Sequence, residues 1–214
     1  GRGASRGAAT FDAARVVVAP FVDRTGDSAL AALPTMAADW IIQGLAAAPT
    51  VRVVPVTTAI ALARDDAERE GTVRGGATAE TLARETRAAT VVSGSVYRSG
   101  DALVLQATAT DARTNTVLGA IAPVRTAVGP GGAVPFAALD TLRARVVALV
   151  APQLDPRLAT YARSASRPPS FEAYRAHAMG LERFVALDWP DALRWFRRAA
   201  AYDGGRWTLP VVYE

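Results

Sequence analysis

The sequence predicts an α/β fold: a mixed sheet with parallel core strands and an antiparallel meander, helices outside, and a small C-terminal α-helical hairpin. Three observations carry this. The run Val16, Val17, Val18, Ala19, Pro20, Phe21 inside Arg15 to Val22 has no polar alternation, which suits a strand covered on both faces. From Thr90 the pattern becomes period two in short segments separated by turn residues. After residue 170 it becomes period 3.6 in two segments broken by Asp188-Trp189-Pro190.

Taken in order, the first strand leads through the turn-like Asp23-Arg24-Thr25-Gly26-Asp27 to Leu33, Met36, Ala37, Trp40, Ile41, Gly44 and Leu45. These fall at i, i+3, i+4, i+7 and i+8, with Pro34 in the first turn, so Leu33 to Ala47 is expected to be a helix. Val51 to Pro55 follows as a second strand, and a helical crossover makes it a parallel neighbour of the first. Thr58 to Arg64 reads as a short helix, Asp65 to Ala77 as a polar, Gly-rich insertion, and Ala79 to Arg87 as a helix capped by Thr78. Thr90 to Arg98, Ala102 to Asp111 and Val117 to Val124 form the meander, turning at Ser99-Gly100-Asp101 and at Ala112 to Thr116. Gly129-Pro130-Gly131-Gly132 breaks the chain before a helix from Phe136 to Val150, which Pro152 is expected to close. Phe171 to Leu187 and Pro190 to Tyr202 are the two helices of the hairpin.

The domain limits follow from composition. A flexible segment at 1–14, an α/β domain at 15–152, a linker at 153–170, a hairpin at 171–207 and a tail at 208–214 are expected, the linker because of Pro156, Pro168 and Pro169. From Tyr161 onward lie ten of the fifteen aromatic residues, so the last quarter has packing needs of its own. The opening Gly1 to Thr10 is read as a segment downstream of a signal peptide or membrane anchor, or else as a cloning remnant. No unbroken apolar run of about 18 residues is present, so no membrane span is expected.

Composition removes most enzyme chemistry. There is no cysteine, and all 24 basic residues are arginine, so thiolate metal sites, Walker-type phosphate loops and lysine chemistry are excluded. The lone histidine, His177, cannot form a two-histidine zinc motif and is read as a packed or hydrogen-bonded residue. The net charge of +4 is divided evenly: residues 1–150 carry 15 Arg against 13 acids, and 151–214 carry 9 against 7. No basic half exists to hold a nucleic acid. No cofactor, metal, nucleotide hydrolysis or catalytic residue is expected.

Two loops present groups that a ligand could use. Asp23 to Asp27 could offer two carboxylates to a cation, yet one loop supplies too few ligands, and Asp27 as a helix cap with Gly26 as a turn accounts for it. Gly129 to Gly132 precedes a helix, but no lysine follows and Pro130 removes an amide, so a connector is expected.

Ala19-Pro20-Phe21, Thr25-Gly26-Asp27, the helix through Trp40 and Leu45, and Val92-Ser93-Gly94-Ser95-Val96 leading through Gly100-Asp101 to Ala109-Thr110-Asp111 together resemble the TolB amino-terminal-like domain. The resemblance covers residues 15 to 150. The hairpin resembles a degenerate tetratricopeptide repeat, with Gly180, Ala192, Phe196 and Ala199 at the small, small, aromatic and small positions. Ala176, Arg183 and Gly204 depart from that pattern. This order of modules resembles extracytoplasmic parts of bacterial membrane serine/threonine kinases, and it implies a non-catalytic, periplasmic or otherwise extracytoplasmic, membrane-associated chain.

The candidate site lies in the hairpin. Trp195 and Phe196 are about 100° apart around a helix, so both cannot fill one small core. Trp189, Trp195 and Trp207 are candidate apolar anchors and Arg194 and Arg198 a polar rim for another protein subunit of a membrane complex. The alternatives are a solvated arginine face and a hairpin that packs back on the first domain. The function expected is docking or scaffolding; the alternative is the ligand-sensing ectodomain of a membrane serine/threonine kinase.

Overall fold

The computed structural model describes residues 10–70, 79–155, 157 and 170–202. The expectations for residues 1–9, for 71–77 of the insertion, for the Thr78 cap, for most of the linker and for 203–214 therefore lie outside the described residues. Asp12–Ala14, expected within the flexible segment 1–14, belong to the first strand. Seven strands, β1 (Asp12–Val18), β2 (Val22–Asp23), β3 (Arg52–Val53), β4 (Ala88–Ser99), β5 (Ala102–Asp111), β6 (Thr116–Ala120) and β7 (Val124–Thr126), form one mixed sheet. Its order is β3-β1-β4-β5-β6, with β2 also on β4 and β7 also on β5. β1 runs parallel to β3 and β4, and β4, β5 and β6 are antiparallel. The helices are α1 (Leu33–Ala46), α2 (Val56–Glu70), α3 (Ala79–Thr86), α4 (Phe136–Leu154), α5 (Phe171–Val185) and α6 (Trp189–Ala201).

The valine run is explained by burial from both sides. Val16 and Val18 enter a large core with α1 and α4, while Val17 enters a smaller one with Leu82 and Ala83 of α3. α1 is buried almost all round, with twelve of its fourteen residues inside. Ser28 to Ala46 consequently reaches a mean hydropathy of 1.2, enough by length and composition for a membrane helix, yet 78% of it is buried within this fold.

Two pieces of the sequence motif meet in space. A Cβ on Gly94 of β4 would stand 2.3 Å from the Phe21 ring and 2.6 Å from the Gln106 carbonyl oxygen, so only glycine lets that ring lie on the strand. Gly94→Ala should therefore destabilise the fold by about 1–3 kcal/mol, read as a lower melting temperature; an unchanged melt would contradict this packing. Asp27 is held by Arg98 at 2.7 Å and caps the Ala29 amide at 2.9 Å, which leaves the Asp23–Asp27 loop as a turn and cap.

Several element boundaries differ from expectation. The first strand, expected over Arg15 to Val22, is interrupted at Ala19–Phe21, where Pro20 cannot donate to a ladder, and resumes as β2 beside β4; the second is confined to Arg52–Val53. The acidic stretch after Arg64 continues α2 instead of leaving it, because Asp65 to Glu70 contains no helix breaker. The third meander segment splits into β6 and β7 around Pro123, which cannot donate to a ladder; β7 then pairs with Leu103 to Leu105 at the far end of β5. Pro152 lies inside α4, near its end, where the amide it lacks would have served the carbonyl of exposed Ala148.

The C-terminal helical pair packs back on the sheet domain through α5, as the alternative reading of the hairpin expects, and it shares one core with Val16, Trp40 and Leu142 instead of having a separate one. Tyr174 is fully buried between α5 and α1; its hydroxyl lies 2.7 Å from Asp39 Oδ2 and 3.0 Å from the Met36 carbonyl oxygen. Its ring meets Trp40 edge-on at 5.5 Å and stacks with Phe136 at 6.3 Å. Glu182 of α5 accepts from Thr35 of α1. Burial raises the Asp39 carboxyl above its ordinary pKa, against hydrogen bonds from Tyr174 and Gln43.

Candidate partner-binding site

The geometry of the hairpin follows from small residues facing a ring. Gly180 of α5 sits where a Cβ would be 2.4 Å from the Phe196 ring, and Ala192 and Ala199 complete the buried stripe of α6. The turn between the helices is fixed by Leu187 at φ +60° and by Asp188, whose carboxylate accepts from the Asp191 amide. With its apolar stripe committed to α5, α6 turns Arg194, Arg197 and Arg198 to solvent and leaves Trp195 half-buried.

The structure brings Trp195, Arg198 and Arg194 together and sets Trp189 apart. The Arg198 guanidinium lies over the Trp195 ring at 5.3 Å from its centre. Arg194 donates through Nε to Asp191 at 3.1 Å, and Arg183 of α5 reaches the same carboxylate at 3.2 Å. Trp195 is half-buried beside Met179, whereas Trp189 is 52% exposed at the hairpin turn, edge-on to Phe184 at 5.0 Å. Trp207 lies outside the described residues.

Sequence reasoning missed part of this surface. Trp195 and Arg198 also form one side of a groove of about 300 Å³ whose other side is the Ser28–Ala32 segment, and Arg175, Met179 and Tyr202 line it. A helical wheel of α5 and α6 places Met179 and Tyr202 outside the Phe196 stripe. No local pattern announces the contribution of residues 28–32, because that contact is made across the fold.

His177 is part of the core. Its ring stacks with Tyr174 at 6.4 Å and lies 5.7 Å from Phe196, and burial pushes its pKa down to about 4. The unfolded chain therefore binds the extra proton first, and stability falls as pH drops from about 6.5 to about 4. Relative to a His177→Phe variant, the wild type should lose about 3 kcal/mol across that window in denaturant titrations. Asp39, with its raised pKa, acts in the opposite direction in both proteins and cancels from the difference. Parallel curves for the two proteins would contradict the burial of a neutral imidazole.

Among the described residues no group of three or more His, Asp or Glu side chains could hold a metal ion. Asp12, Asp27 and Asp111 are held below the usual carboxylate range by arginine hydrogen bonds, and so is Asp155 by Arg157 and Thr50. These groups serve the fold as ion pairs and turns.

No protein-family model matches the chain, and no curated protein matches it. Several solved structures are similar in part, three of which follow. Lipoprotein GNA1162 from Neisseria meningitidis is 17% identical, covers 64% of this chain and 96% of its own, and gives a TM-score of 0.39. A PelC dodecamer from Paraburkholderia phytofirmans is 16% identical over 68% of this chain and 93% of its own, with a TM-score of 0.38. The LpoB C-terminal domain from Salmonella enterica is 18% identical over 55% of this chain and 84% of its own, with a TM-score of 0.40. Likeness of this degree assigns neither family nor activity.

Proposed function

We propose that this chain is a non-catalytic docking or scaffold domain of an extracytoplasmic, membrane-associated protein assembly, and that the helical pair is its partner-facing element. In this reading residues 15–152 are a TolB-like frame and 171–207 a tetratricopeptide-like hairpin mounted on it. The single observation that carries the proposal is the division of labour on α6. Its apolar stripe is consumed by α5, while the exposed Arg194, Arg197 and Arg198 surround a half-buried Trp195 on the same helix. The meeting of Gly180 with Phe196 supports the repeat-like reading of the hairpin, and that of Phe21 with Gly94 the reading of the frame.

Tryptophan and arginine are the side chains that most often anchor interfaces, since they bury much area at modest entropic cost. Trp195→Ala should weaken association with neighbouring subunits by about 2 kcal/mol or more while leaving the sheet domain folded. The check is co-purification of the assembly with the wild-type and the variant chain, with circular dichroism on each. Undiminished recovery of partner subunits with Trp195→Ala, Trp189→Ala and Trp207→Ala combined would end this proposal. The ligand-sensing alternative would rest on the cavity of about 290 Å³ beside Phe11, Ala83 and Val91, which Glu80, Arg84, Thr110 and Asn115 also line.

A further inference from the structure

We infer that the groove between α5, α6 and residues 28–32 receives an apolar side chain of an acidic segment of a partner protein, placed against Trp195. This rests on the docking role proposed above and adds the partner's chemistry. The groove has a floor of Ala32, Ala176 and Met179 and a wall of Trp195 and Tyr202, with Arg175 and Arg198 on its edge. Beyond the shared Trp195 and Arg198, a second depression of about 530 Å³ is lined by Asp191, Arg194 and Arg197.

The charge on this surface is one-sided. Arg175, Arg194, Arg197 and Arg198 stand against Glu172 and Asp191, and the Asp191 carboxylate is already shared by Arg183 and Arg194. No ion pair among the described residues uses Arg197 or Arg198. Arg175 is anchored by a 2.9 Å bond to the Gly131 carbonyl oxygen, and Arg198 by the Trp195 ring, so these guanidinium groups are positioned before a partner arrives. Pre-positioned arginines around an aromatic wall fit carboxylates flanking an apolar anchor.

Two other occupants fit less well. A lipid surface is flat, and the apolar stripe that α6 would have to insert is committed to Gly180 and the rest of α5. A second copy meeting this face with its own like face would set arginine against arginine.

The test uses the whole chain and three probes: an amphipathic helical peptide with leucine on one face and glutamate on the other, its arginine-for-glutamate counterpart, and phosphatidylglycerol vesicles. Calorimetry should show the acidic peptide binding, with affinity reduced by salt and reduced about tenfold or more in an Arg197→Glu/Arg198→Glu variant of unchanged melting temperature. The basic peptide should not bind. Equal binding of both peptides, binding of vesicles alone, or self-association lost in the double variant without peptide binding would each overturn the inference. If the acidic peptide fails while Trp195→Ala still strips subunits from the native assembly, the docking role stands and only the acidic partner is wrong. If both fail, both readings fall.

Discussion

A Val17→Asp chain should not fold. Val17 is fully buried on β1, between β3 and β4 in the parallel half of the sheet, with Leu82, Ala83 and Val91 in its cluster. The buried members of that cluster are all aliphatic, so the carboxylate would be buried without a partner or held neutral at a cost of several kcal/mol. A domain of ordinary stability has about 5–15 kcal/mol to lose, and sheet register passes through this strand. The expected readout is insoluble or unfolded protein by circular dichroism. A soluble variant with the wild-type melting curve would remove β1 from the core.

Phe196→Ala should be the most damaging truncation in the helical pair. The ring is fully buried, touches Gly180 so closely that no Cβ fits there, and lies 5.7 Å from His177. Because the facing residue is already glycine, nothing on α5 can move in to fill the space. The cavity term therefore adds to the lost transfer energy, for a total of about 3–5 kcal/mol, or roughly 10 °C in melting temperature. Thermal melts of the two proteins check this, and a shift of a degree or two would show that α6 is not packed through this ring.

Much of the fold was legible because its burial is extreme. The unbroken Val16 to Val18 run reflects a strand with a core on each side, and the Gly180–Ala192–Phe196–Ala199 spacing reflects a close helix–helix contact. The continuation of α2 through Asp65 and Asp66 was hidden because solvent-facing acids look like a loop when their periodicity is not anchored by a buried side. The split at Pro123 was readable in principle from the missing amide, but the pairing of β7 with the start of β5 was not.

The candidate site was legible only in its chemistry. Trp189 and Trp195 are six residues apart, hence about 240° around the helix, and the structure accordingly puts one on Phe184 at the turn and the other in the groove. The groove itself depends on Ser28 to Ala32 meeting α5 and α6 across more than half the chain, a contact that the Tyr174 bonds to α1 help to fix. Arg175 and Met179 gain significance only from that meeting.

The central claim is that the outer face of α6 meets a partner, and site-specific photocrosslinking in the native membrane setting tests it most directly. Photoreactive residues would replace Arg197 on α6, Trp189 at the hairpin turn, and Val117, which is 66% exposed on the edge strand β6. The account predicts discrete crosslinks to another protein from position 197, absent when Arg194 and Arg198 are also changed to glutamate. Crosslinks from position 117 alone, with positions 189 and 197 silent, would contradict it and move the interface to the sheet edge.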